Sequence, residues 1–123
     1  MIAGTVTPKG RAIIRLAVQC PGGNSLLTDA AVDTGFNGFL ALPAESVTRL
    51  RLPPLGTRKT TLADGSGALV RAFRAIVQWH GQGREVAAVE VQGGALVGMS
   101  LLRGSRLTVD VVVNGPVRIE PIP

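Results

Sequence analysis

The residues whose types and spacing could do chemistry stand in one run, AAVDTGFNGFL, from Ala30 to Leu40. An apolar stretch runs into Asp33, Thr34 and Gly35, bends on Gly35 and Gly38, and returns to apolar residues. A carboxylate at the end of an apolar strand is costly to bury unless hydrogen bonds compensate it. The two glycines permit a sharp turn and close approach of backbone N–H groups to that carboxylate. Thr34 adds a hydroxyl on a stiff, β-branched stem. The pattern suits one Asp held rigidly at the mouth of a β core, where it can take or give a proton.

Other ionisable or nucleophilic residues read as structural. Asp29 lies four residues before Asp33 on the incoming strand and points to a solvated face. Asp64 sits in a turn, where Asp bonds its own backbone, and Asp110 alternates outward. GMSLL places Leu102 where a serine nucleophile elbow requires glycine, and the chain has a single histidine, His80, at a strand end beside Gly81. His, Cys and carboxylates do not cluster as metal ligands, so neither a metal nor a cofactor is expected. Cys20 has no basic neighbour to activate it and reads as inert. Trp79 reads as a packed strand residue.

The elements that must position Asp33 are mostly strands. In RAIIRLAV, Ala12, Ile14, Leu16 and Val18 share one face, with Arg11 and Arg15 on the other. In RLTVDVVV, Leu107, Val109 and Val111 oppose Arg106, Thr108 and Asp110, and in VRIE, Val117 and Ile119 face inward. This period of two marks half-buried strands. Turn residues separate the runs at 8–10, 21–24, 64–67, 81–83 and 93–94, and Asn114-Gly115 predicts a tight hairpin. Residues 61–79, TLADGSGALVRAFRAIVQW, form a long hairpin with Asp64, Gly65, Ser66 and Gly67 at its tip. Helix is scarce: about two turns over 43–50, opened by Pro43, and about one turn over 99–103, stopped by Gly104. The expected architecture is an all-β, mostly antiparallel and closed barrel with one or two short helices, forming a single domain over residues 1–123.

Composition agrees. With 46% hydrophobic residues the chain can fill a core, and with 3% aromatics that core is built from Val, Leu and Ala. The net charge of +5 is spread over single arginines and is not interleaved with aromatics, so nucleic acid is not an expected partner. No run is long enough to span a membrane, and the N-terminus alternates instead of showing a signal-peptide block, so no membrane partner is expected either. One cysteine fits a reducing cytoplasm.

The order of these pieces is specific where each alone is not: an Asp33-Thr34-Gly35 loop, a glycine-tipped hairpin, the apolar-apolar-Gly triplet Leu96-Val97-Gly98, a short helix and final strands. Over nearly its whole length the chain resembles the retropepsin-like aspartic proteases, most of all their short bacterial single-domain members. The resemblance implies that Asp33 is the catalytic carboxylate and that Thr34 bonds across a dimer axis. It implies that Gly35 shapes the loop, that Asp64–Gly67 form a flap, and that Leu96, Val97 and Gly98 pack beneath the loop. It further implies a homodimer with a two-fold axis through the site, whose terminal segments pair between chains, acting on a peptide or protein substrate. The chain departs from the pattern at Phe36, where retroviral members usually carry alanine, and at Asn37, where bacterial relatives often carry Ser or Thr. A catalytically silent peptide-binding or assembly module is the alternative function for the same fold.

Overall fold

β-Branched and aliphatic residues at alternate positions build the elements. The computed structural model describes residues 1–61 and 64–123; Leu62 and Ala63 of the expected hairpin lie outside the described residues. The strands are β1 (Ile2–Val6), β2 (Ala12–Gln19), β3 (Ser25–Val32), β4 (Leu40–Pro43), β5 (Pro54–Thr61), β6 (Gly67–Trp79), β7 (Gln82–Val91), β8 (Ala95–Val97), β9 (Ser105–Val109) and β10 (Pro116–Pro121). Helix α1 (Ala44–Leu50) follows β4, and α2 (Met99–Leu102) follows β8.

The sheet runs β5-β6-β7-β4-β8-β3-β2-β1-β10-β9, and a further pairing of β6 with β2 closes it on itself. The closure, Val18 opposite Val77 and Gln19 opposite Ile76, makes a ring of six strands, β6-β7-β4-β8-β3-β2. The expected all-β closed barrel with two short helices is what the chain forms. Ile14, Leu16 and Val18 of β2, Leu40 and Leu42 of β4, Val77 of β6 and Val97 of β8 fill its interior, each 2% exposed or less. Burying such a side chain contributes about 1.5–3 kcal/mol, most of it offset by the entropy of ordering the chain.

Two pairings in this largely antiparallel sheet are parallel, β3 with β8 and β4 with β7. β3 and β4 are consecutive in the chain yet not neighbours, because β8 lies between them: Val32 is opposite Val97 on one side and Leu40 opposite Val97 on the other. Consecutive strands usually pair directly. Here the connecting loop, 33–39, must cross over the end of β8.

Four expectations need correction. The strand expected through Val111 ends at Val109, and Val111, Val112 and Val113 are 71%, 64% and 59% exposed. Asn114-Gly115 is not a two-residue hairpin: the Asp110 N–H bonds Pro116 O, the Gly115 N–H bonds Val112 O, and Asn114 N–H and O=C of Val6 tie the wider loop to β1. Gly115 is required there, since a Cβ would lie 1.9 Å from Asp110 O. The hairpin at 64–67 is longer than its apolar stretch, because β5 extends back to Pro54 through a polar, exposed sequence. Finally, β1 and β10 pair with each other within the chain, β1 also with β2 and β10 also with β9, so both terminal strands already have two neighbours.

Candidate active site

The loop that crosses β8 carries Asp33. Its N–H donates to Val97 O at 2.9 Å, which extends the β3–β8 ladder by one residue and fixes where the side chain leaves the sheet. The carboxylate is half-buried, and its Oδ1 accepts the Gly35 N–H at 2.9 Å. That bond turns one carboxylate oxygen back onto the loop's own backbone. Thr34 is exposed beside it.

Leu96, Val97 and Gly98 lie directly beneath. Gly98 donates to Phe39 O at 3.1 Å, and then α2 begins, its first N–H groups turned to the loop: Met99 to Phe36 O at 2.8 Å and Ser100 to Gly38 O at 3.2 Å. These are donors that a helix start would otherwise leave unpaired. The Ser100 hydroxyl donates to Asn37 O. Gly98 admits no side chain, because a Cβ would meet Gly38 O at 2.2 Å and Phe36 O at 2.7 Å. The triplet thus supports the loop by close backbone contact. The Phe36 ring lies over Gly38 and Gly98, where a Cβ on either would come within 2.6 Å of it.

The structure brings Asp33, Thr34 and Gly35 together with Leu96, Val97 and Gly98, whereas the hairpin tip lines neither cleft beside the loop. Asp64, Gly65, Ser66 and Gly67 are exposed. Asp64 Oδ1 accepts the Ser66 hydroxyl at 2.6 Å and its N–H at 2.9 Å, and those bonds hold the Asp64 carboxyl below the usual carboxylate range. Below the tip, β5 and β6 form one wall of a cleft of about 400 Å³ whose opposite wall is the loop from Gly35 to Phe39. Asp33 and Thr34 line a separate hollow of about 420 Å³ with Leu107, Val109 and Val111.

The remaining carboxylates lie as the alternation indicates: Asp29 pairs with Arg15 at 3.7 Å, both 70% exposed, and Asp110 is exposed. Trp79 is buried, and His80 accepts or donates through Nε2 to Ser105 Oγ at 2.8 Å. Sequence reasoning missed Ser100 and Phe39 as partners of the loop. A serine in the first turn of a short helix was the available signal for one, and the continuous apolar run FLALP for the other.

A solved structure of a retropepsin-like aspartic protease from Rickettsia conorii resembles this chain with a TM-score of 0.60 and 17% identity, over 96% of this chain and 91% of that one. The fold is retropepsin-like. No family model and no curated protein matches the chain. Within that fold, the crossing of loop 33–39 over β8 is the feature that sets one carboxylate at the open end of the barrel. No helix among the described residues is long and apolar enough to cross a membrane.

Proposed function

We propose that the chain is an aspartic endopeptidase, active as a homodimer in which each subunit supplies Asp33. The observation that carries this reading is the Asp33 carboxylate, half-buried and held by the Gly35 N–H on a loop stitched to β8 and α2, in a retropepsin-like fold. Peptide hydrolysis without a metal or a covalent nucleophile needs both a base and an acid. The chain has one Asp-Thr-Gly, so the second carboxylate comes from a second copy. Two carboxylates at close range cannot both ionise and therefore share one proton. The ionised Asp33 takes a proton from water as its oxygen attacks the scissile carbonyl carbon. The protonated Asp33 gives its proton to the carbonyl oxygen. Collapse of the tetrahedral species breaks the C–N bond as the Asp33 that took the water proton passes it to the leaving nitrogen, while the other Asp33 recovers a proton from a hydroxyl of the gem-diol. Exposed Thr34 would bond its mate across the axis, and the β5–β6 hairpin would cover the substrate. The domain spans residues 1–123, and the single thiol, Cys20, suits the cytoplasm.

Incubation with a mixed peptide library, read by mass spectrometry with and without a transition-state-analogue inhibitor of aspartic proteases, tests this. Inhibitor-sensitive cleavage by the natural chain and background cleavage by Asp33→Asn are expected. Undiminished cleavage by Asp33→Asn would remove Asp33 from the mechanism. One observation favours the alternative of a silent binding or assembly module: both terminal strands are already paired within the chain, which leaves them no open edge for an interleaved dimer.

A further inference from the structure

The cleft between loop 35–39 and the hairpin has an uneven chemistry. Phe36, Phe39, Val70 and Val89 give it an apolar part, Asn37, Thr60, Thr61 and Ser100 a neutral polar part, and β5 contributes two adjacent cations, Arg58 and Lys59. Its volume, about 400 Å³, is within the range of ligand sites. Strand geometry separates the two cations, since neighbouring residues project to opposite faces. Arg58 is the register partner of Val70, which itself lines the cleft; Lys59 is opposite Leu69, which is 71% exposed. Both cations line the cleft, but Arg58 shares the face of Val70 and Lys59 the face of exposed Leu69.

The cations on the strands beside it are engaged. Arg71 pairs with Glu90 at 2.7 Å and Arg74 with Glu85 at 2.8 Å, while Arg84 lies over the Phe39 ring at 5.4 Å. Arg58 enters no ion pair among the described residues, and no carboxylate lines the cleft. The hairpin's own acid, Asp64, is bonded to Ser66. A planar guanidinium with its donors unspent, on the edge of a cleft that holds no acid of its own, matches a carboxylate side chain.

We infer that Arg58 selects substrates carrying Asp or Glu at the position that enters this cleft. The inference rests on the peptidase reading for its substrate class, and its test separates the two. Labelled octapeptides with Glu, Gln or Lys scanned through each position are used twice: in cleavage by the natural chain, and in binding to Asp33→Asn by fluorescence anisotropy. At one position, Glu should bind and cleave roughly three- to fivefold better than Gln, the range of a solvent-accessible ion pair. Arg58→Gln should level that difference, Arg58→Glu should turn it toward Lys, and Arg118→Gln, an exposed arginine of β10 away from the cleft, should leave it in place. The preference should weaken with added salt, and as pH falls through the ordinary carboxylate range of about 4. Arg58 is exposed on an edge strand, so circular dichroism should report a folded protein in every case. Cleavage with the same acid profile in Arg58→Gln, or with no acid preference at all, overturns the assignment and leaves the peptidase standing. Acid-selective binding that Arg58→Gln abolishes, with no cleavage by the natural chain, upholds Arg58 and overturns the peptidase.

Discussion

Close backbone packing at Gly98 decides how the loop carrying Asp33 is held. Gly98 has Gly38 O and Phe36 O closer than any Cβ tolerates, so Gly98→Ala must push loop 33–39 off the end of β8. Overpacking of this kind costs about 1–3 kcal/mol, and thermal unfolding of Gly98→Ala should show a midpoint lower by about 5–15 °C. Gly94→Ala is the control: a Cβ there meets nothing within 4 Å, and its midpoint should stay near that of the natural chain. The same displacement would lengthen the Asp33 N–H to Val97 O bond, so peptidase activity measured well below both melting points should fall in Gly98→Ala and not in Gly94→Ala. Equal midpoints for the two would mean that the loop gives way without cost. At this scale the sequence was informative where chemistry and turn geometry coincide. Asp33, Gly35 and Gly98 are all marked by type and order. Arg58 carried no such mark, because it lies in RKTT, a polar stretch whose burial does not alternate, and its role depends on Val70 across the strand pair.

Elements were legible to the extent that one face was buried. The alternation of β2 and of β10 reads directly as half-buried strand because the apolar residues are inside and the arginines outside. Three consecutive valines, 111–113, mimic a strand by composition, yet backbone bonds to Val6 and Val112 carry the chain into a loop instead. The crossing of loop 33–39 over β8 was also out of reach, since parallel pairing joins segments more than sixty residues apart (Val32 with Val97). The turn joining β6 to β7 yields a prediction at this scale. His80 caps that turn and reaches Ser105 at the start of β9. Burial, with the positive N-terminus adding to it, pushes the His80 imidazole below the ordinary histidine value. The unfolded chain, titrating near about 6.5, then binds a proton that the folded chain does not. Stability from this site is complete above that value and declines as pH falls below it. Unfolding midpoints from pH 8 to 5 should therefore drop with acid, and His80→Asn, which tolerates the positive φ of 51° there, should flatten the slope. A parallel pair of curves would separate His80 from the pH response. The β5–β6 tip offers a second: with two glycines and exposed side chains, its amides at 65–67 should exchange fast in the free chain and slow when a peptide analogue binds.

For the whole molecule, the proposed homodimer requires that two copies bring their Asp33 carboxylates together. β1 and β10 each have two strand neighbours within the chain, so the contact cannot come from adding a partner's terminal strand to them. What remains near Asp33 is the exposed Thr34, the hollow it shares with Leu107, Val109 and Val111, and the adjoining valines 112 and 113, more than half exposed. A mostly apolar surface beside the proposed catalytic Asp33, with Arg11 and Thr34 at its edge, is where a second copy would be expected to sit. Specific activity should then rise with protein concentration and level off as the dimer fills, with sedimentation showing the same midpoint. Val112→Arg would place a desolvated charge in that contact and should shift both midpoints to at least about tenfold higher concentration, while the unfolding temperature of the dilute monomer stays the same, because Val112 is exposed there. Excess Asp33→Asn should suppress the natural chain by drawing it into mixed dimers with one carboxylate and one amide. Full activity in a strictly monomeric protein, proportional to its concentration and indifferent to added Asp33→Asn, would mean that one Asp33 suffices and that the shared-proton mechanism does not operate in this chain.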